Sequence, residues 1–262
     1  MANTGATISG VGGEADAVEQ ARAVIDGAVQ AGIPLRLIGG LAIRLLTPEF
    51  PPREREGQDL DLASVSSARS GLSRYLSDQG FVPDKEFNNL YGHKQMYFVF
   101  PGSDRALDVV MDQLNMCHVL DFRTRIERMP HTLDVADLLL SKLQIVELNE
   151  KDVQDLVYLL AAFPVTQGDE PGTIGLDRVG KVLGEDWGWW RTVTANLDRV
   201  ATLAGGEARH LVPPNPPYDP VAQARTLREH ADRAPKTLKW KLRAKVGDRM
   251  RWYELPEEVA HR

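Results

Sequence analysis

Between Glu14 and Ala31 the apolar residues Val18, Ala21, Val24, Ile25 and Ala28 recur every three or four positions. That spacing puts them on one face of a helix. The period then shortens. "PLRLIGG", residues 34–40, reads as a short strand running into two glycines, and "LAIRLL", 41–46, as a short helix. "TPEFPPREREGQ", 47–58, is a proline- and charge-rich loop, and "DLDLASV", 59–65, alternates as a strand does. A helix follows over 67–80, with Ser67 as its N-cap and Gly80 as its stop. "HKQMYFVF" and "RALDVVMDQL" are two strands joined by "PGSD", a hairpin turn that makes the sheet antiparallel or mixed. Residues 115–132 show no assignable period.

From Val135 the helical period returns and stays. "VADLLLSKLQIVEL" and "KDVQDLVYLLAAF" are consecutive helices hinged at Asn149. Further helices are expected over 186–204, 219–233 and 236–250, with the proline cluster "LVPPNPPYDP" ahead of the last two. The expected fold is α/β, a small mixed sheet with flanking helices over 14–132, followed by a helical half over 133–262.

The 262 residues suit one domain with a helical extension, and 43% hydrophobic content is enough for a core. A net charge of −6 argues against the whole surface being a nucleic-acid footprint, while leaving room for a local basic patch. One cysteine, Cys117, excludes an internal disulfide, and no cysteine–histidine spacing suits zinc. The N-terminal stretch lacks the basic-then-apolar order of a signal peptide, and no apolar run approaches the roughly 20 residues that span a bilayer. A cytoplasmic protein with no membrane partner is expected.

Asp59 and Asp61 are two apart on a strand and so share a face, while Leu60 and Leu62 point to the core. Side-by-side carboxylates repel unless a cation sits between them, and a hard divalent ion such as Mg²⁺ accepts oxygen ligands. Asp108, between Leu107 and Val109, supplies a third carboxylate from a later strand, with Asp112 four residues on as its possible substitute. Gly39 and Gly40 lack a Cβ and open a helix, so a polyanion can approach the backbone and meet free N–H groups. Each piece alone is common; their order points to phosphoryl or nucleotidyl transfer.

That order resembles the polymerase-beta-like nucleotidyltransferase superfamily, with its glycine turn, its Dh[DE]h pair and its later third acid. The nearer likeness is to the AbiEii/MenT-type toxin nucleotidyltransferases and related bacterial proteins. It rests on "IGGLAIRL", on "REGQDLDLA" with Arg55 four before Asp59, on Lys142 in "LLLSKLQ", and on "KDVQD" with Asp152 and Asp155. It covers about residues 34–160, and it departs from the pattern at Ile38, where those toxins carry lysine, and in the long loop before Asp59. The resemblance implies two Mg²⁺ ions on Asp59, Asp61 and Asp108, and a nucleoside triphosphate (NTP) held near Gly39, Gly40, Arg44, Arg55 and Lys142. It also implies that Asp152 or Asp155 orients or deprotonates an acceptor hydroxyl. The acceptor it implies is RNA, above all a tRNA 3′ end, with a cognate antitoxin as a further partner. An antibiotic-type small molecule, a protein side chain, or a silent nucleotide-binding module are the alternatives.

In the helical half, residues 236–253 carry seven basic residues against Asp248, with Trp240 and Trp252 interleaved. Such a run is either an RNA-binding arm or an amphipathic helix whose Trp240 and Leu242 pack on the body. "RTLREH", with Arg225 and His230, matches a ribonuclease spacing too short to weigh. His118 reads as a packed or hydrogen-bonded residue.

Overall fold

The structure, a computed structural model, describes residues 14–52, 59–102 and 105–255. Its elements in chain order begin with α1 (Glu14–Gln30), β1 (Leu35–Leu37), α2 (Gly39–Leu46), β2 (Leu60–Ser64) and α3 (Arg69–Asp78). They continue with β3 (Val82–Pro83), α4 (Lys85–Tyr91), β4 (Gln95–Val99), β5 (Ala106–Met111), β6 (Gln113–Asn115) and β7 (Val119–Asp121). The remainder comprises α5 (Val135–Leu143), α6 (Glu150–Ala162), β8 (Val165–Thr166), β9 (Ile174–Gly175), α7 (Leu176–Glu185), α8 (Trp187–Gly205), α9 (Pro220–Arg233) and α10 (Leu238–Val246). The expected mixed α/β fold with a helical C-terminal half is the observed one. No helix among the described residues is long and apolar enough to cross a membrane.

The chain packs as two compact units. The first comprises the described residues through Leu45, then Pro52–Asp112 and Pro130–Thr132; the second comprises Leu46–Pro51, Gln113–Met129 and Leu133 onward. In the first, five strands lie in the order β1-β2-β5-β4-β3. β2 and β5 run parallel, and the other pairs are antiparallel. Alternation along each strand separates two faces. Leu60, Leu62, Leu107, Val109, Met96 and Phe98 are buried on one face, where α1 adds Ala21 and Ile25 and α3 adds Leu72 and Leu76. α1 and α3 approach closely where Gly27 meets Tyr75, whose hydroxyl donates to the Val24 carbonyl at 2.7 Å. A Cβ on Gly27 would lie 2.3 Å from that hydroxyl oxygen.

The ends of these elements correct several expectations. Ser67 does not cap α3. The chain takes a 3₁₀ turn over Ser66–Ala68, and the Ser66 N–H is satisfied instead by Asp112 Oδ1 at 3.0 Å. Asp112 itself sits at φ 66° just past β5, and its carboxylate ties that strand end to the start of the 3₁₀ turn through the Ser66 N–H. α4 is a helix that the hydrophobic pattern missed. Asp84 caps it, accepting from the Phe87 N–H at 2.9 Å. The unassigned stretch after residue 115 contains β7, which pairs antiparallel with β6.

The second unit is helical around α8. Asn149 separates α5 from α6 as expected and caps α6 in a reciprocal box, accepting from Asp152 N–H while the Asp152 side chain accepts from Asn149 N–H. α5 ends five residues earlier than its apolar pattern suggested; the Asn196 amide donates to the carbonyls of Leu143 and Ile145 at that end. Arg125 ties Asp134, Asp137 and Asp169 together, and Arg128 joins them, fixing the stretch before α5 to the loop after β8. All five tryptophans gather in this unit around the start of α8.

Candidate functional site

The face of the sheet opposite the leucines carries the acids. In the parallel β2–β5 pair Asp61 stands directly across from Asp108, so the two carboxylates leave neighbouring strands on the same side. Strand spacing puts such backbones about 4.8 Å apart. Asp59 lies on that face one alternation earlier, and its Oδ1 accepts from the Ala106 N–H at 2.8 Å. Asp59 and Asp61 are exposed and Asp108 is half-buried.

Gly39 makes this arrangement possible. It adopts φ +67°, and a Cβ there would lie 2.7 Å from Asp61 Oδ2. Immediately before it, the Ile38 N–H donates to the Asp61 carbonyl at 2.9 Å, which pins the turn to the acid-bearing strand. Gly39 and Gly40 then form the first turn of α2, which contains no acidic residue, so its N–H groups face no competing negative side chain of their own helix. Arg44 lies in the last turn of that helix, away from the glycines. Arg55 lies outside the described residues.

Residues that the sequence pattern did not single out complete this face. Gln95 Nε2 donates to Asp108 Oδ1 at 2.7 Å, and Tyr97 stands opposite Asp108 on β4. Arg105 interacts electrostatically with Asp59, donates to Gln20 at 2.6 Å and lies 4.2 Å from the centre of the Phe100 ring. Burial lowers the Arg105 pKa from its ordinary value, and the Asp59 charge works against that shift. The alternation "Q-M-Y-F-V" put Gln95 and Tyr97 on one face, but which strand they would adjoin depends on register, which one chain's pattern does not reveal.

These contacts bear on metal binding. Among the described residues no three His, Cys, Asp or Glu side chains are grouped so as to hold a metal ion. Asp59 is drawn to Ala106, and Asp108 is held by Gln95. What the face does offer is the Asp61–Asp108 pair, two hard oxygen donors side by side, which suits a divalent cation; Asp59 accepts the Ala106 N–H through Oδ1, which leaves its Oδ2 as a further donor.

In the second unit Lys142, Asp152 and Asp155 come together. Lys142 Nζ lies 3.0 Å from Asp152 Oδ1 and 3.0 Å from Asp155 Oδ2, with Asp155 fully buried. Asp152 and Asp155 are three apart on α6 and both turn toward α5, as helical spacing requires. Here one lysine charge bridges two carboxylates, a clamp between α5 and α6.

The remaining candidates are packed. His118 Nε2 is 2.9 Å from Thr192 Oγ1, its ring lies against Trp189, and burial pushes its pKa down to about 4 against a smaller opposing pull from Asp186. Trp240 packs edge-on against Trp190 and Trp252 against Trp187, so the basic segment's aromatic rings are engaged within the unit.

No protein-family model and no curated protein sequence matches the chain. Among solved structures the chain is similar to the lincomycin-bound lincosamide antibiotic adenylyltransferase LnuA. The TM-score is 0.40 at 16% identity, covering 54% of this chain and 94% of that one.

Proposed function

We propose that the first unit is a nucleotidyltransferase that moves a nucleoside monophosphate from a nucleoside triphosphate to an acceptor hydroxyl. The observation that carries this reading is the juxtaposition of Asp61 and Asp108 beside a glycine whose absent side chain leaves room for the Asp61 carboxylate. The motif order around Gly39, Asp59, Asp61 and Asp108, which resembles the polymerase-beta-like superfamily, supports the same chemistry.

In this reading the triphosphate lies along the Gly39–Gly40 turn, where backbone N–H groups at the start of α2 meet its oxygens. Asp61 and Asp108 would hold a divalent cation, and the Asp59 Oδ2 would add a further donor. Such an ion supplies charge neutralisation at the reacting phosphate and at the departing pyrophosphate. Gln95 keeps Asp108 aimed at the face. The acceptor oxygen forms a bond to the α-phosphorus, the bond to the β-phosphate oxygen breaks, and the hydroxyl proton passes to solvent or to a carboxylate.

An RNA 3′ end is the acceptor that the toxin-like motif order suggests. The acceptor screen pairs the protein and Mg²⁺ with each α-labelled NTP, adding total tRNA, then aminoglycosides and lincosamides. Label on tRNA is expected, and Asp61→Asn is expected to reduce transfer by about 100-fold or more with its circular dichroism unchanged. Transfer to a small molecule alone would replace RNA as the acceptor. NTP binding without pyrophosphate release from any acceptor, or full turnover by Asp61→Asn, would overturn the reading.

A further inference from the structure

α10 turns an unusual face to solvent. Leu238, Leu242 and Val246, at i, i+4 and i+8, are 72%, 55% and 39% exposed, and Met250, beyond the helix end, is 57% exposed. Lys241 and Lys245 border the row on the helix, and Arg249 follows just beyond its end. None of these three has a side-chain hydrogen bond or ion pair among the described residues. The opposite side of the helix holds it in place. Trp240 packs on Trp190, and the Arg243 guanidinium lies 4.6 Å from the centre of the Trp187 ring while donating to the Gly247 carbonyl. The helix is therefore anchored by its aromatic side and presents aliphatic side chains edged with cations.

We propose that this face docks an amphipathic helix of a partner protein, with aliphatic anchors flanked by aspartate or glutamate. Three apolar positions over two turns span about 12 Å, the length over which one helix engages another through i, i+4 and i+8 anchors. Free lysines along the edge select an acidic border and repel a basic one. A second copy of the same helix would set lysine against lysine. A nucleic-acid strand would gain nothing from leucines, and the Trp240 and Trp252 rings on which bases would stack are packed against other tryptophans. An anionic lipid surface would meet half-exposed Asp186, Asp232 and Asp248 around the helix, whereas a single docked helix touches the row alone.

The test is fluorescence anisotropy with the full chain and a labelled helical peptide carrying leucines at i, i+4 and i+8 between glutamates, against its lysine-bordered counterpart. The acidic peptide is expected to bind at least 10-fold more tightly. Leu242→Asp with Val246→Asp is expected to abolish binding with an unchanged melting curve. Lys241→Glu with Lys245→Glu, which leaves the apolar row intact, is expected to reverse the preference. Equal binding of the two peptides, or retention by both double variants, would overturn the proposal. So would tighter binding of a 20-nucleotide RNA or of phosphatidylserine vesicles that is lost on Leu242→Asp with Val246→Asp. None of these outcomes depends on nucleotidyl transfer.

Discussion

Gly39 shows most clearly how one residue's chemistry shapes the candidate site. At φ +67° any L side chain is strained, and a Cβ would press on the Asp61 carboxylate at 2.7 Å. Gly39→Ala is therefore expected to cost about 1–2 kcal/mol in chemical denaturation. It should also reduce nucleotide affinity, because it displaces the carboxylate as well as filling the turn. Gly32, also at positive φ (+73°) but with nothing within 4 Å of its missing Cβ, is the control; Gly32→Ala should show the stability loss and spare the affinity. The shared face of Asp59 and Asp61 was legible in the sequence because alternation is local. The partners of those acids were not. Gln95 and Arg105 reach Asp108 and Asp59 through strand pairings that only the folded register defines. The bond from Ala106 to Asp59 is likewise a cross-strand contact.

At the scale of elements, long periodic helices were legible, and short elements fixed by a single polar contact were not. The apolar rows of α1, α6 and α9 announced themselves, as did the break at Asn149. α4 depends on the Asp84 cap and two buried residues, too little for a periodic signal. The Lys142 clamp joins two elements that the sequence placed side by side, and its three residues are the ones to which the motif resemblance gives phosphate and acceptor roles. Their burial gives a direct expectation. Lys142→Met removes a cation 3.0 Å from both Asp152 and the fully buried Asp155, so unfolding free energy should fall by about 3–5 kcal/mol. Restoring most of the loss by adding Asp152→Asn and Asp155→Asn would confirm that charge, not packing, is responsible. A Lys142→Met protein as stable as the parent would show that the clamp contributes nothing.

For the molecule as a whole, the basic C-terminal segment lies within the second unit's packing. The Trp252 indole donates to Thr192 Oγ1 at 3.1 Å, the same hydroxyl that meets His118, and the Glu254 N–H donates to the Cys117 carbonyl. His118 therefore links pH to this docking. Its pKa is about 4 when folded and 6.5 in its ordinary state, so between those values the unfolded chain binds a proton that the folded one does not. Stability should fall as pH is lowered from about 6.5 to about 4, by at most roughly 3 kcal/mol, with no contribution from this group above that window. His118→Gln should flatten the slope there, and an unchanged slope would assign it to the carboxylates instead.

The central claim is that Asp61 and Asp108 jointly hold a cation that recruits a nucleotide, and titration with Mn²⁺ tests it most directly. Mn²⁺ binding, followed by electron paramagnetic resonance with and without a non-hydrolysable NTP, should be strengthened by the nucleotide in the parent protein. Asp61→Asn and Asp108→Asn should each abolish that strengthening, and Asp112→Asn should leave it intact. Equal Mn²⁺ and nucleotide binding in all four proteins would contradict the account.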